Sequence, residues 1–459
     1  MSSVLARLKA ELGAQLPATC LLDTPAAQVV YASDNSRQTG EPDLVVLARE
    51  HADVVAVARA CHRFGVPLTA RGRGTNTTGA CIAAQGGVVL SLERMQRILA
   101  IRPADRVAVV EPGVLNGVLQ QALAAHGCFW PADPTSAPYS TVGGNLACNA
   151  GGPRTLKYGS ARDNLLALAA VDGRGRSFRC GAAVSKNSTG YDLARLIAGS
   201  EGTLAIITEA SLRLAPLPEA RRGLRAVYAD SASAAAAVAS IMAQPVLPSL
   251  LEFMDDRALD LVRARGVALP AHAGGLLLLE ADGPAASLDA AVEALRLAAA
   301  VPGLLDWQQA EDAAQLEALW AARKALSPAL RSIAPDKINE DVVVPVSRIP
   351  DLLHRVRDLA RSAAIDAVCF GHAGNGNLHV NLLFDRADPA QAAAAARCLE
   401  GVFDAVLELG GTLSGEHGIG LAKRDYMHRA VDPVALALMR ELKAVFDPAG
   451  ILNPGKLLP

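Results

Sequence analysis

Pro131-Ala132-Asp133-Pro134-Thr135-Ser136, Thr141-Val142-Gly143-Gly144-Asn145, Asn149-Ala150-Gly151-Gly152 and Gly159-Ser160-Ala161-Arg162-Asp163 follow one another within about thirty positions. Read as irregular chain, this is a long loop, and compact domains keep such loops for a use. Glycine lets backbone come close to a flat ring or a phosphate, and Thr, Ser and Asn supply hydrogen bonds. Upstream, Arg71-Gly72-Arg73-Gly74-Thr75-Asn76-Thr77-Thr78-Gly79 has the composition of a loop that wraps phosphate with backbone N–H groups. Downstream, Gly199-Ser200-Glu201-Gly202-Thr203-Leu204-Ala205-Ile206-Ile207-Thr208 reads as a turn feeding a strand.

Around these segments helix and strand patterns alternate. Val54, Val55, Ala58, Cys61 and Phe64 fit one helix face and Gly65 ends it. Residues 66–70 then form a short strand running into the glycine loop, with further strands at 87–92 and 106–110. Leu115, Val118, Leu119, Ala122 and Leu123 stripe another helix that ends near Gly127. The loop is no Rossmann fingerprint, because Thr77 stands where the third glycine should open a helix. Nor is it a Walker loop, since no Gly-Lys-Ser/Thr follows.

A chain of 459 residues is too long for one ordinary core. With 51% hydrophobic residues and a formal net charge of -2, it is neither disordered nor electrostatically suited to nucleic acid. Eight cysteines without a Cys-x-x-Cys spacing disfavour an iron–sulfur cluster, a thiolate zinc site and a disulfide scaffold. No apolar run approaches the roughly 18 residues of a membrane span, and the first residues make a poor export signal. A cytoplasmic chain is the expectation, and a peripheral place at the inner face of the membrane is compatible with it.

Ala215-Pro216-Leu217-Pro218 marks a domain boundary. Beyond it, short apolar strands at 224–228, 250–254 and 276–280 alternate with alanine-rich helices at 231–242 and 285–300, which can pack on one face of a mainly antiparallel sheet. Arg323 and Lys324 read either as a solvated helix face or, for Arg323, as a clamp on a substrate carboxylate. Lys337 is equally a second carboxylate partner or a strand-edge charge.

Two later segments carry the candidate chemistry. Gly371-His372-Ala373-Gly374-Asn375-Gly376-Asn377-Leu378-His379 and Gly415-Glu416-His417-Gly418 set three histidines and a carboxylate in glycine-rich backbone. Histidine and glutamate are ordinary ligands of a divalent metal. His379 and Asn381 stand two apart in a strand and so share a face. His51, His62, His126, His272, His354 and His428 lack such context and read as structural.

The motifs from Glu41 to Leu214 resemble the flavin-binding domain of the vanillyl-alcohol oxidase/p-cresol methylhydroxylase superfamily. The carriers are the Arg-Gly-x-Gly-Thr loop, Pro-Thr-Ser, Thr-Val-Gly-Gly-Asn and Gly-Ser-Glu-Gly-Thr-Leu. The resemblance implies FAD bound by Arg71, Gly72, Arg73, Gly74, Thr75, Asn76, Pro134, Thr135, Ser136, Gly143, Gly144, Asn145, Ser160, Glu201, Gly202, Ile206, Ile207 and Asn453. Some members attach FAD to a histidine after the loop glycines. Thr75 and Asn76 occupy that region here, so a non-covalent flavin is expected. The implied fold is α+β: a two-subdomain FAD-binding domain (1–216), a cap with a mainly antiparallel sheet (217–410) and a C-terminal segment (411–459) returning to the first.

The C-terminal segments, with Phe446-Asp447-Pro448-Ala449-Gly450-Ile451-Leu452-Asn453-Pro454-Gly455-Lys456, resemble the FAD-linked D-2-hydroxyacid dehydrogenase branch of that superfamily. By that resemblance His372, His379 and Glu416 bind a divalent metal, zinc being expected. Asn381 lines the substrate site, Arg323 and Lys337 hold the carboxylate of a small 2-hydroxy acid, and His417 is the base. The electron acceptor stays open among an electron-transfer flavoprotein, a quinone and a cytochrome, and a homodimer is compatible with it. The residues leave three alternatives: a metal-independent flavin alcohol oxidase, the flavin subunit of a multi-chain glycolate oxidase, and a metal hydrolase that would leave the N-terminal motifs without a purpose.

Overall fold

The computed structural model describes residues 2–330 and 333–459. They fall into two compact units. One holds the chain up to Gly152, with Gly159–Leu217 and Glu416–Pro459; the other holds Pro153–Tyr158 and Pro218–Gly415.

The first unit has two main sheets. In one, strands Leu44–Leu47 and Leu68–Arg71 both pair in parallel with Val88–Ser91 between them, and Leu21–Leu22 adds an antiparallel edge. Helix His51–Phe64 makes the crossover. It ends at Gly65, whose φ of 64 lets its N–H turn back to the Cys61 and His62 carbonyls. Its buried stripe of Val54, Val57, Ala58 and Cys61 packs with Leu44, Val46, Leu68 and Leu90. The chain's end closes the Leu68 edge: Leu68 N–H donates to Ile451 O at 2.8 Å, and Asn453 N–H to Leu68 O at 2.8 Å. The other sheet is antiparallel, in the order Ile98–Arg102, Val107–Val110, Ala205–Arg213, Leu165–Asp172, Ser177–Gly181. Its core gathers around the fully buried Trp130.

The stretch 131–163 departs from the expectation of irregular chain, because it contains helices Val142–Ala147 and Thr155–Tyr158. Glycines 143 and 144 disguise the first, being poor helix formers. What starts it is Thr141, whose side-chain oxygen accepts the Gly144 N–H at 3.2 Å as an N-cap.

In the second unit seven strands form one antiparallel sheet in the order Leu304–Gln309, Ala220–Tyr228, Gly275–Gly283, Leu250–Asp255, Asp366–Gly371, Asn377–Phe384, Asp336–Val343. Helices cover both faces, not one as expected. Met254, Leu276, Leu278, Val368 and Phe370 pack with Leu259 and Val262 of helix Asp256–Arg263 and with Leu319, Leu326 and Leu330 of Ala313–Leu330. On the opposite pleat, a Cβ at Gly275 would lie 2.7 Å from that of Ala234, so helix Ser231–Ala243 lies there. The side chain of Lys324 lies outside the described residues.

Pro153–Tyr158 joins this unit through its charges. Arg154 Nη2 donates to Glu280 Oε1 at 3.2 Å, and Tyr158 OH to Asp282 Oδ2 at 2.7 Å. Residues 411–415 stay with it as well, since Thr412 exchanges backbone hydrogen bonds with Val343 at 2.8 and 3.0 Å. Among the described residues no helix is long and apolar enough to cross a membrane.

Candidate active site

In the first unit the glycine loop leaves strand Leu68–Arg71 and is shaped from within. The guanidinium of Arg71, a residue only 6% exposed, donates to Ser33 O at 2.7 Å, so it braces the loop from behind. Gly74 sits at φ 68, and a Cβ there would strike that guanidinium. Asn76 Oδ1 accepts the N–H groups of Thr78 and Ala80 at 2.9 and 3.0 Å, curling the loop, while its Nδ2 donates to His417 O at 3.1 Å. Arg73 reaches Glu93 at 3.4 Å with a half-exposed side chain.

The other expected flavin contacts are similarly committed. Asn145 is buried and bonded to Asn116 and Ser140. Ser160 donates to Asn149 Oδ1 and Asp163 Oδ2. Pro134 and Ser136 carbonyls close turns onto Ala137 and Tyr139, which leaves Thr135 exposed between them. Ile206 and Ile207 point into the two separate cores of this unit, so only their backbone can meet a ligand. Glu201 has φ 53 beside Gly202 at 71. Its buried carboxylate accepts Ile419 N–H at 2.6 Å and Gly420 N–H at 2.8 Å, which pins the segment that follows His417. Burial pushes its pKa up, against those two hydrogen bonds and the nearby Lys456 and Lys423.

Four buried polar atoms in three of these segments find no hydrogen-bond partner among the described residues: Thr77 Oγ1, Ser200 Oγ, Asn453 Oδ1 and Lys456 Nζ. Buried polar groups are normally paired. A set holding both donors and acceptors suits a ligand that carries both. Of these residues only Asn453 was legible in advance.

In the second unit the strand register builds the other cluster. Met254 pairs with Phe370, Phe370 with His379, and His379 with Asp341, giving one row across four strands. Continuing that register sets Glu252 opposite His372. The rings of His372 and His379 meet edge to face, 5.3 Å between centroids. Glu252, with a side chain 1% exposed, bonds His372 Nδ1 and accepts Arg323 Nε–H at 2.7 Å. Burial alone would raise the Glu252 carboxyl, but His372 and Arg323 outweigh it and hold it well below the usual carboxylate range. Arg323 also lies 4.7 Å over the Phe370 ring. A carboxylate on Nδ1 fixes a histidine's tautomer and presents Nε2 outward, the usual support of a metal ligand.

Asp341 holds the approach to Glu416, accepting Gly415 N–H on both its backbone oxygen and Oδ2, each at 2.9 Å. Glu416 is the next residue along the chain. His372 and His379 are the two candidate ligands of this unit, and Glu416 is the first residue of the segment that belongs to the other. Asn381 is fully buried and donates to the Val368 and His379 carbonyls at 3.2 Å, while Lys337 Nζ donates to its Oδ1 at 3.4 Å. Glu252 escaped sequence reasoning, although a lone carboxylate inside the apolar run Leu250-Leu251-Glu252-Phe253-Met254 was the available signal.

One unit with a parallel and an antiparallel sheet and a glycine-built loop, and another with a seven-stranded antiparallel sheet, define a two-domain fold of the p-cresol methylhydroxylase type. The solved structure of p-cresol methylhydroxylase with substrate bound aligns with a TM-score of 0.82 over 99% of this chain and 97% of its own, at 17% identity, which speaks for the fold. Residues 42–181 match the FAD binding domain family and 217–457 the C-terminal domain of FAD linked oxidases. The chain belongs to the FAD-linked oxidase family and is an FAD-dependent oxidoreductase.

Its relatives include the glycolate oxidase subunit GlcD of Bacillus subtilis, 36% identical over 95% of this chain and 93% of that protein. A D-lactate dehydrogenase of Anaerostipes hadrus is 35% identical over 91% and 89%. A D-2-hydroxyglutarate dehydrogenase of Stutzerimonas stutzeri is 33% identical over 91% of each. The unpaired donors and acceptors of Thr77, Ser200, Asn453 and Lys456 fit a flavin nucleotide, which carries both kinds of partner.

Proposed function

We propose that the chain oxidises a small D-2-hydroxy acid of the glycolate, lactate, malate or 2-hydroxyglutarate type to the 2-oxo acid, with FAD held non-covalently. The observation that supports this is the His372–Glu252–Arg323 network, with the His379 ring against that of His372. A histidine able to ligate a metal thus shares a carboxylate partner with a guanidinium able to bind a substrate carboxylate, and the names of the relatives fit such a substrate. His372, His379 and Glu416 would hold a divalent ion, zinc being the expected one, with manganese and iron compatible with the same donor set. Bound FAD would supply the acceptor for the C2 hydride, and an ion held by these side chains would supply Lewis acidity toward the substrate hydroxyl.

The protein's own part is orientation and proton removal. Arg323 is aligned by Glu252, and donors beyond its Nε hold the substrate carboxylate, helped by Lys337. Asn381 lines the place between them. His417 accepts the hydroxyl proton, its backbone carbonyl steadied by Asn76 Nδ2.

The test is anaerobic mixing of the yellow protein with D- and L-lactate, glycolate, D-malate and D-2-hydroxyglutarate. Bleaching of the flavin band near ~450 nm by a D-acid is the expected result. A flavin that none of these acids reduces would refute it. That outcome would favour the flavin subunit of a multi-chain oxidase, for which the relative named as a subunit is the supporting observation. Acid precipitation should release the flavin into the supernatant; colour retained in the pellet would refute non-covalent binding.

A further inference from the structure

Lys456 is 3% exposed, yet its ammonium has no hydrogen-bond partner among the described residues. Burying an unpaired cation is costly, so a buried lysine normally meets an anion. The neighbouring acids do not serve. Glu201 already accepts the Ile419 and Gly420 N–H groups, and Asp34 accepts Ser36 N–H at 2.9 Å. Burial draws the lysine pKa down to about 8 against the upward pull of Cys81, Asp34 and Glu201.

Three residues earlier, Asn453 Nδ2 donates to both Ala80 O and Glu201 O, at 2.7 and 2.6 Å. Two carbonyl partners fix that atom as nitrogen, so the other atom is an oxygen, and it accepts nothing. One terminal segment therefore carries an unsatisfied acceptor and an unsatisfied cationic donor. A pyrophosphate offers only acceptors and would leave Asn453 Oδ1 unpaired. The pyrimidine edge of a flavin offers C2=O, N3–H and C4=O, which meets both needs.

We propose that Lys456 is the cationic partner of the flavin's N1–C2=O side, next to Asn453 on N3–H, and that it stabilises the negative charge the ring gains on reduction. The inference rests on FAD binding and not on the identity of the hydroxy acid, and its test uses no hydroxy acid. Sulfite serves as the probe: its sulfur lone pair forms a bond to N5, and the displaced electron pair leaves the same charge on N1–C2=O.

In Lys456→Met holoprotein, sulfite should bind tenfold or more weakly. The preference for the reduced over the oxidised flavin should fall by a similar factor, a drop of ~30 mV in the two-electron potential. Lys456→Arg should retain most of both. Unchanged sulfite affinity and potential in Lys456→Met would overturn the proposal. So would a loss of FAD affinity with both unchanged in the remaining holoprotein, which would place the ammonium on the pyrophosphate. Should Lys456→Met fail to fold, Lys456→Gln, which keeps a donor and removes the charge, carries the same comparison.

Discussion

The two units handle polar groups in opposite ways. In the first, two buried charged side chains brace backbone: Arg71 holds Ser33 O and Glu201 holds Ile419 and Gly420 N–H. What remains for a ligand is backbone and a few unpaired polar atoms. In the second, charges are gathered into the site itself, where Glu252 joins His372 to Arg323 on a sheet face. A cofactor that stays bound needs shape and hydrogen bonds, whereas a substrate that is turned over needs groups able to move protons and hold charge.

The largest effect is expected at His417, the proposed base. His417→Ala should slow flavin reduction by roughly two to four orders of magnitude, with FAD content unchanged. Stopped-flow reduction at the wild-type rate would take His417 out of the chemistry. Next comes Glu252, the proposed support of His372 as a metal ligand: Glu252→Gln should weaken metal binding by about 10–100-fold while FAD content stays whole. Metal titration with unaltered affinity would reduce Glu252 to a packing role.

The smallest effect concerns the strand beneath. Asp255 accepts the Ala258 and Cys369 N–H groups, and burial nevertheless pushes its pKa up to about 7. That lies above the ~3.9 of an unfolded chain, so its contribution to stability is whole below about pH 4 and is lost as pH rises through about 7. Asp255→Asn should therefore gain on wild type in thermal unfolding as pH goes from 5 to 8. Parallel Tm profiles would contradict the shift.

The contrast also decides what could be read in advance. A backbone-built cofactor site leaves glycines, prolines and small polar residues in short runs, and those runs were legible from Arg71 to Thr208. His372 and His379 were legible for the same reason, being close in sequence and separated by a glycine turn. Glu252 was not, because it lies 120 residues from His372 and meets it only through the neighbouring strands Leu250–Asp255 and Asp366–Gly371. Lys456 was hidden differently: a lysine near a chain end reads as solvated until the fold buries it. The helix Val142–Ala147 was masked by the very glycines that make its N-terminal turn approachable.

We propose that FAD is held without the metal, whereas its reduction by the hydroxy acid needs the metal. Dialysis of the yellow protein against a strong chelator, followed by anaerobic addition of the D-acid that reduces it, tests this directly. FAD should remain bound, bleaching should be abolished, and return of zinc should restore it. Full bleaching by the metal-free protein, or loss of FAD together with the metal, would contradict it.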